Sequence, residues 1–303
     1  KTTYTVKKGE TPAEDVANMN ATVALAKEAG ATSIALKFDA GVQIPYEAVV
    51  IEDPEMIINC SSSSKNGGAT FIISDKQTWN PNIVLGSYMN VEVTGTGDLT
   101  IENAFKVNNL TNEGILNVGD VAITAKTFTN EGTINVGAES SFVVTPLPDG
   151  QIVRTVEGTE TVADINALIT NTNLNTLNVT DVEWTGLGAL ADWTGVTVNM
   201  TSAKISSTDA INVNALVING NENEVTCTTL TVTEPITIPA EADAVINADV
   251  VGAVVANGDL TVGNVSSTLA VANDVVVTAG SVKGAATIGD RAQVEAVAFT
   301  KGV

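Results

Sequence analysis

The sequence contains no histidine. That removes imidazole general-base chemistry, Ser-His-Asp and Cys-His catalysis, and histidine-ligated zinc. The two cysteines, Cys60 and Cys227, lie in unrelated local contexts and read as small buried thiols, neither a disulfide framework nor a thiolate metal site. Basic residues are few: 14 Lys and Arg against 35 Asp and Glu, a formal net charge of −21. Such a balance argues against nucleic acid, whose phosphates need Lys and Arg, and against electrostatic attachment to anionic lipid. The acidity itself reads as solubility. No apolar run approaches the ~20 residues of a membrane-crossing helix. The most apolar segment, 244–256, is short and carries Asn247 and Asp249. Aromatic residues are only 4% of the chain against 44% hydrophobic, so the expected core is built from Val, Ile, Leu and Ala. Charged residues are 16%. The polar remainder is Thr, Asn, Ser and Gly, which suits strands and turns over helices.

What the chain does have is repetition. Thr111-Asn112-Glu113-Gly114-Ile115-Leu116-Asn117-Val118-Gly119 returns 18 residues later as Thr129-Asn130-Glu131-Gly132-Thr133-Ile134-Asn135-Val136-Gly137. A period this short, with alternating apolar residues and a Gly-bounded turn, predicts one rung of a β-solenoid. Leu116 and Val118 are expected to point inward with Ile134 and Val136, while Ile115, Asn117, Thr133 and Asn135 face outward. Gly97-Asp98-Leu99-Thr100-Ile101 adds a rung in the same register. Looser copies follow at 258–263 and 284–289. A single rung cannot bury its own apolar side, so neighbours must cover it and the end rungs need caps.

A longer repeat sits above the short one. Thr5-Val6-Lys7-Lys8-Gly9-Glu10-Thr11 resembles Thr155-Val156-Glu157-Gly158-Thr159-Glu160-Thr161, and each precedes a helix signal. Thr11-Pro12-Ala13-Glu14 is a capping box with Pro at the first helical position, and Thr161-Val162-Ala163-Asp164 is a weaker version. Val16, Met19 and Val23 define the apolar face of the first helix, with Gly30 as its stop; Ile165, Leu168 and Ile169 do so in the second. Strand, helix and strand thus occur twice. We expect a duplication with modules 1–150 and 151–303, joined at Pro146-Leu147-Pro148-Asp149-Gly150.

The Asn-x-Gly-x-x-Asn-Val rungs resemble those of right-handed parallel β-helix surface proteins, the bacterial adhesins of filamentous-haemagglutinin type. The motif match covers about residues 97–138. The resemblance implies a secreted or bacterial cell-surface scaffold without catalysis, presenting loops to glycan or host-surface protein partners. The helix-bearing modules are a departure from that pattern. Separately, the chain opens at Lys1 with no Met, so a removed precursor segment is expected, and a lipid anchor carried by it is one expected route to the surface.

Candidate residues for chemistry are sparse. Asn112 and Asn130 are expected to stack at a turn and hydrogen-bond along the axis as a structural ladder. Trp184 beside Glu183, and Trp193 beside Asp192, form a small local repeat in Gly-rich sequence; with Trp79 they are the candidate carbohydrate-binding residues, an indole to stack on a sugar and a carboxylate to accept its hydroxyls. The competing reading of all three tryptophans is a plug over a rung end. Asp243, Asp249 and Asp259 leave room for a carboxylate pair of the glycosidase kind. No cofactor or metal is expected, since the turns lack both calcium-loop signatures. Ser61-Ser62-Ser63-Ser64-Lys65-Asn66-Gly67-Gly68 reads as a flexible protruding loop.

The expected fold class is therefore all-β: a parallel β-solenoid, a right-handed β-helix, with short capping helices and two related modules. A pair of β-sandwiches is the rival. The expected function is a non-catalytic, adhesin-like scaffold. The alternatives are a carbohydrate-binding module using Trp184 and Trp193, and a polysaccharide-cleaving β-helix enzyme using paired carboxylates.

Overall fold

In the computed structural model, which describes residues 2–158, 160–188, 190 and 193–300, the strands stack as a β-solenoid, and the pairings within each unit described below are parallel. The chain forms two compact units. One comprises residues 1–152 with 171–173, the other 153–170 with 174–303.

The first unit has three faces. One sheet holds Thr3–Val6, Ser33–Phe38, Ile57–Ser61 and Ile83–Leu85. A second runs Gln43–Pro45, Ala69–Ile73, Met89–Val93, Phe105–Asn112, Ala122–Asn130 and Ser141–Val143. The third carries Lys76–Thr78, Asp98–Ile101, Ile115–Val118 and Thr133–Val136. Leu116 is in register with Leu99 on one side and Ile134 on the other, and all three are fully buried. Ile115 faces solvent, as the alternation requires.

The Asn-Glu-Gly turn has a steric cause. A Cβ on Gly132 would lie 2.1 Å from the Gly114 carbonyl oxygen, and one on Gly114 would lie 2.3 Å from that of Gly97. At this corner the backbone of one rung rests on that of the next, and only glycine leaves the space. The Asn two residues earlier is used inside. Asn112 Nδ2 donates to Asn130 Oδ1 at 2.7 Å, and Asn130 Nδ2 donates to the Asp149 carbonyl at 2.8 Å. Asn112 is in register with Val93 on its other side, which has no amide, and Asn112 Oδ1 is left without a partner.

Helix α1, Pro12–Glu28, closes the start of this unit. Val16, Met19, Val23 and Ala26 are buried, and the helix packs against Thr3–Val6 and Gln43–Pro45. Thr11 Oγ1 accepts the Glu14 N–H, but the Glu14 carboxylate takes the N–H of Glu10, one residue before the cap, instead of the reciprocal bond of a standard capping box. Asp15 is completely buried. Its two oxygens accept the N–H groups of Gly9 at 2.6 Å and Gln43 at 2.7 Å, and Lys8 Nζ lies 3.7 Å away.

The second unit begins with the same order: the strand Gln151–Glu157, helix α2 over Val162–Thr172, and Thr176–Thr180, which pairs in parallel with the first strand. Asp164 accepts both the hydroxyl and the N–H of Thr161, which holds its carboxyl below the usual range. From Thr176–Thr180 one face continues through Thr197–Thr201, Ala215–Asn219, Ile236–Ile238, Val254–Ala256, Leu269–Val271 and Ala286–Ile288. The facing sheet runs Glu183–Leu187, Lys204–Ser207, Asn223–Val232, Asp243–Val251, Asp259–Val262, Val276–Val282 and Gln293–Phe299. The loose Gly258 and Gly284 copies thus fall on different sheets of this unit.

One expectation needs correction. The Ser-rich segment is not a free loop: Ser61 ends a strand, Ser62 is buried and donates to the Phe38 carbonyl, and Gly68 accepts the Gly41 N–H at 2.7 Å. Only the short turn at 63–67 is exposed.

Candidate functional site

The tryptophans lie in the core. Trp79 is 5% exposed, stacks on Tyr46 at 4.8 Å, and meets Phe71 and Phe105 edge-on. Its indole N–H is used by the Ile83 carbonyl. Burial raises the Tyr46 phenol above its ordinary value, although the Asn80 N–H donated to it acts the other way. Trp184 and Trp193 pack edge to face at 6.2 Å, at 6% and 1% exposure. Their indole nitrogens donate to the Glu160 carbonyl and to Asn166 Oδ1. Stacking on a sugar needs an open ring face, and these rings spend theirs on the interior. Glu183 is exposed at the start of its strand; Asp192 lies outside the described residues.

The three aspartates lie on strands, Asp243 and Asp249 on Asp243–Val251 and Asp259 at the start of Asp259–Val262. Asp243 and Asp259 are register partners in adjacent rungs. Each commits one oxygen to a backbone N–H of a neighbouring rung, Glu222 for Asp243 and Val276 for Asp259. Asp249 accepts from Asn264 Nδ2.

What the stacking does assemble is a set of outward ladders. Asn109 Nδ2 donates to Asn90 Oδ1 and Thr127 Oγ1 donates to Asn109 Oδ1, at 2.8 and 2.6 Å. Asn117 reaches Asp98 at 2.7 Å, and Asn135 reaches Asn117 at 2.8 Å. In the second unit Asn199 donates to Asn178 at 2.8 Å, and Asn178 to Thr155 at 3.3 Å. Strands ~4.8 Å apart bring like residues within hydrogen-bond reach one rung above another. Each ladder fixes side chains that would otherwise be free to rotate.

A second feature escaped the sequence reading. The four-stranded sheet of the first unit stops at Ile83–Leu85, whose one strand partner among the described residues is Ile57–Ser61. The other two faces continue. Beside this edge lies a trough of about 620 Å³, lined among others by Val84, Leu85, Lys106, Val107, Thr124 and Lys126. A smaller recess of about 140 Å³, lined by Trp79, Phe105 and Glu102, shares Val84, Leu85 and Lys106 with it. The missing partner depends on where the chain goes one rung later, so no local motif announces it.

Compared with known proteins, the chain matches no family model, no curated protein and no solved structure.

Proposed function

We propose that the chain is a non-catalytic recognition scaffold, exported to a bacterial cell surface or secreted, adhesin-like, whose faces meet glycan or host-surface protein partners. The observation that carries this reading is the outward Asn and Thr ladders, in both units, whose side chains are tied to one another along the stack. Such faces are polar, largely uncharged and pre-ordered. A partner that binds them has little side-chain entropy left to remove, which is one of the costs of forming a polar interface. The solenoid rungs and their resemblance to those of β-helix adhesins support the same reading.

The test has two arms. Cells making the protein from its native gene are labelled with a membrane-impermeant biotin reagent, and the protein is expected in the labelled or released fraction. The purified chain is then applied to a glycan array and to host-cell surface extracts, beside Asn117→Ala/Asn135→Ala. Binding that the double substitution weakens is expected. Recovery only from the unlabelled interior of the cells overturns the export reading. Binding unaffected by the ladder substitutions removes this face as its basis.

A further inference from the structure

We propose that the trough beside Ile83–Leu85 is a docking site for an extended acidic peptide, which adds as a further strand to the interrupted sheet. This goes beyond the scaffold reading and does not depend on export or on the ladders.

The main chain supplies the first argument. Ile58 donates its N–H to the Asn82 carbonyl, and Gly86 donates to the Cys60 carbonyl. In a parallel pair the groups of alternate residues point the same way, so those of Val84 face Ile57–Ser61 while those of Ile83 and Leu85 face away. The Ile83 N–H is used by Asn80, and its carbonyl by Trp79 Nε1. The Leu85 N–H and C=O meet no backbone partner among the described residues, and Leu85 is one of the residues that line the trough. A strand edge with an open donor and acceptor is the template that an added strand uses.

Charge supplies the second. In a chain of net charge −21, with 14 basic residues, two exposed lysines, Lys106 and Lys126, line this one trough, and neither forms an ion pair among the described residues. No acidic side chain lines the trough itself; Glu102 belongs to the smaller recess. The buried Val107 and Ala125 lie beside the lysines in sequence and line the same space. A partner strand whose side chains alternate between acidic and apolar suits that lining.

The test uses the whole chain and a fluorescein-labelled hexapeptide of alternating Glu and Val, read by fluorescence anisotropy, with hydrogen exchange at the Leu85 amide. Saturable binding and slowed exchange at Leu85 are expected. Lys106→Glu/Lys126→Glu should raise the Kd by about tenfold or more, whereas the charge-matched Lys204→Glu/Lys283→Glu, at exposed lysines of the other unit, should leave it unchanged. N-methylation of one alternate set of peptide amides should abolish binding, and of the other set should not. The proposal is overturned by no binding at about 1 mM peptide, by an alternating Lys and Val peptide binding as well, by equal loss in both double variants, or by indifference to N-methylation.

Discussion

Asp15 is the single carboxylate on which the start of the first unit turns. It is fully buried, and three groups hold it: the N–H of Gly9, the N–H of Gln43 28 residues on, and Lys8 at 3.7 Å. Replacing it by Ala strands two backbone donors, one before helix α1 and one on the strand Gln43–Pro45 beneath it. Each stranded donor costs about 1–3 kcal/mol, so Asp15→Ala should cost about 3–5 kcal/mol, a large share of an ordinary domain's stability. Asp15→Asn keeps one acceptor but turns an NH2 toward the other donor, so about 2–3 kcal/mol is expected. Lys8 is half-exposed, and Lys8→Ala should cost only a few tenths of a kcal/mol. Urea titration gives the totals. Hydrogen exchange gives the location, with lost protection beginning in residues 9–45. If Asp15→Ala costs under about 1 kcal/mol, or Asp15→Asn is as stable as the parent, the carboxylate is not the pin between helix and sheet, and the account of how α1 is seated fails.

Other consequences follow from the rungs. Gly132→Ala forces a Cβ onto the Gly114 carbonyl and should cost about 3 kcal/mol in thermal or urea unfolding; Gly95→Ala, with no atom within 4 Å of the new Cβ, should stay within about 0.5 kcal/mol. Asn130→Leu should cost about 1–3 kcal/mol, because the Asp149 carbonyl loses its donor and Asn112 Nδ2 keeps only the Thr133 carbonyl at 3.2 Å. Val93→Asn would supply the donor that Asn112 Oδ1 lacks, and should therefore cost less than Asn130→Leu when the two are compared in one urea series. Burial pushes the Cys60 thiol well above its ordinary value and that of Cys227 up to about 11. The unfolded chain releases these protons near pH 8.5 while the folded chain keeps them, so stability should fall as pH rises above that point, by about 1.4 kcal/mol per pH unit for each thiol still protonated in the fold. Cys60→Ala should flatten the decline; an unchanged slope would refute the assignment.

The rungs were legible because their residues answer to copies of themselves. Gly114 and Gly132 share one close approach, and Asn112 and Asn130 share one hydrogen bond, so the same letters recur at the same spacing. The helix starts were legible because capping is local, although the Glu14 carboxylate chose the Glu10 N–H. The tryptophans were legible only as two competing readings, plug or sugar site. An indole beside an acid in a Gly-rich stretch reads the same whether it plugs a core or lines a site. What decides is a partner far along the chain: Glu160 for Trp184, Asn166 for Trp193, Tyr46 for Trp79. The three-faced rungs of the first unit were hidden for a related reason. Their strands Gln43–Pro45 and Lys76–Thr78 are three residues long and carry no motif.

Repetition also bears on where recognition of a discrete ligand can reside. Along an unbroken face each strand's donors and acceptors are consumed by the rungs on either side, and the outward amides by one another, as from Asp98 through Asn117 to Asn135. Such a face can meet a partner as a surface, but it has no main-chain group left to give. Main-chain groups are released only where a sheet ends before its neighbours do. In the first unit that happens at Ile83–Leu85 and again at Ser141–Val143. Closing the gap would test the point. A substitution that let the Phe105–Val107 segment pair with Leu85 would lengthen the sheet, slow exchange at the Leu85 amide, and remove the acidic-peptide affinity together with the trough.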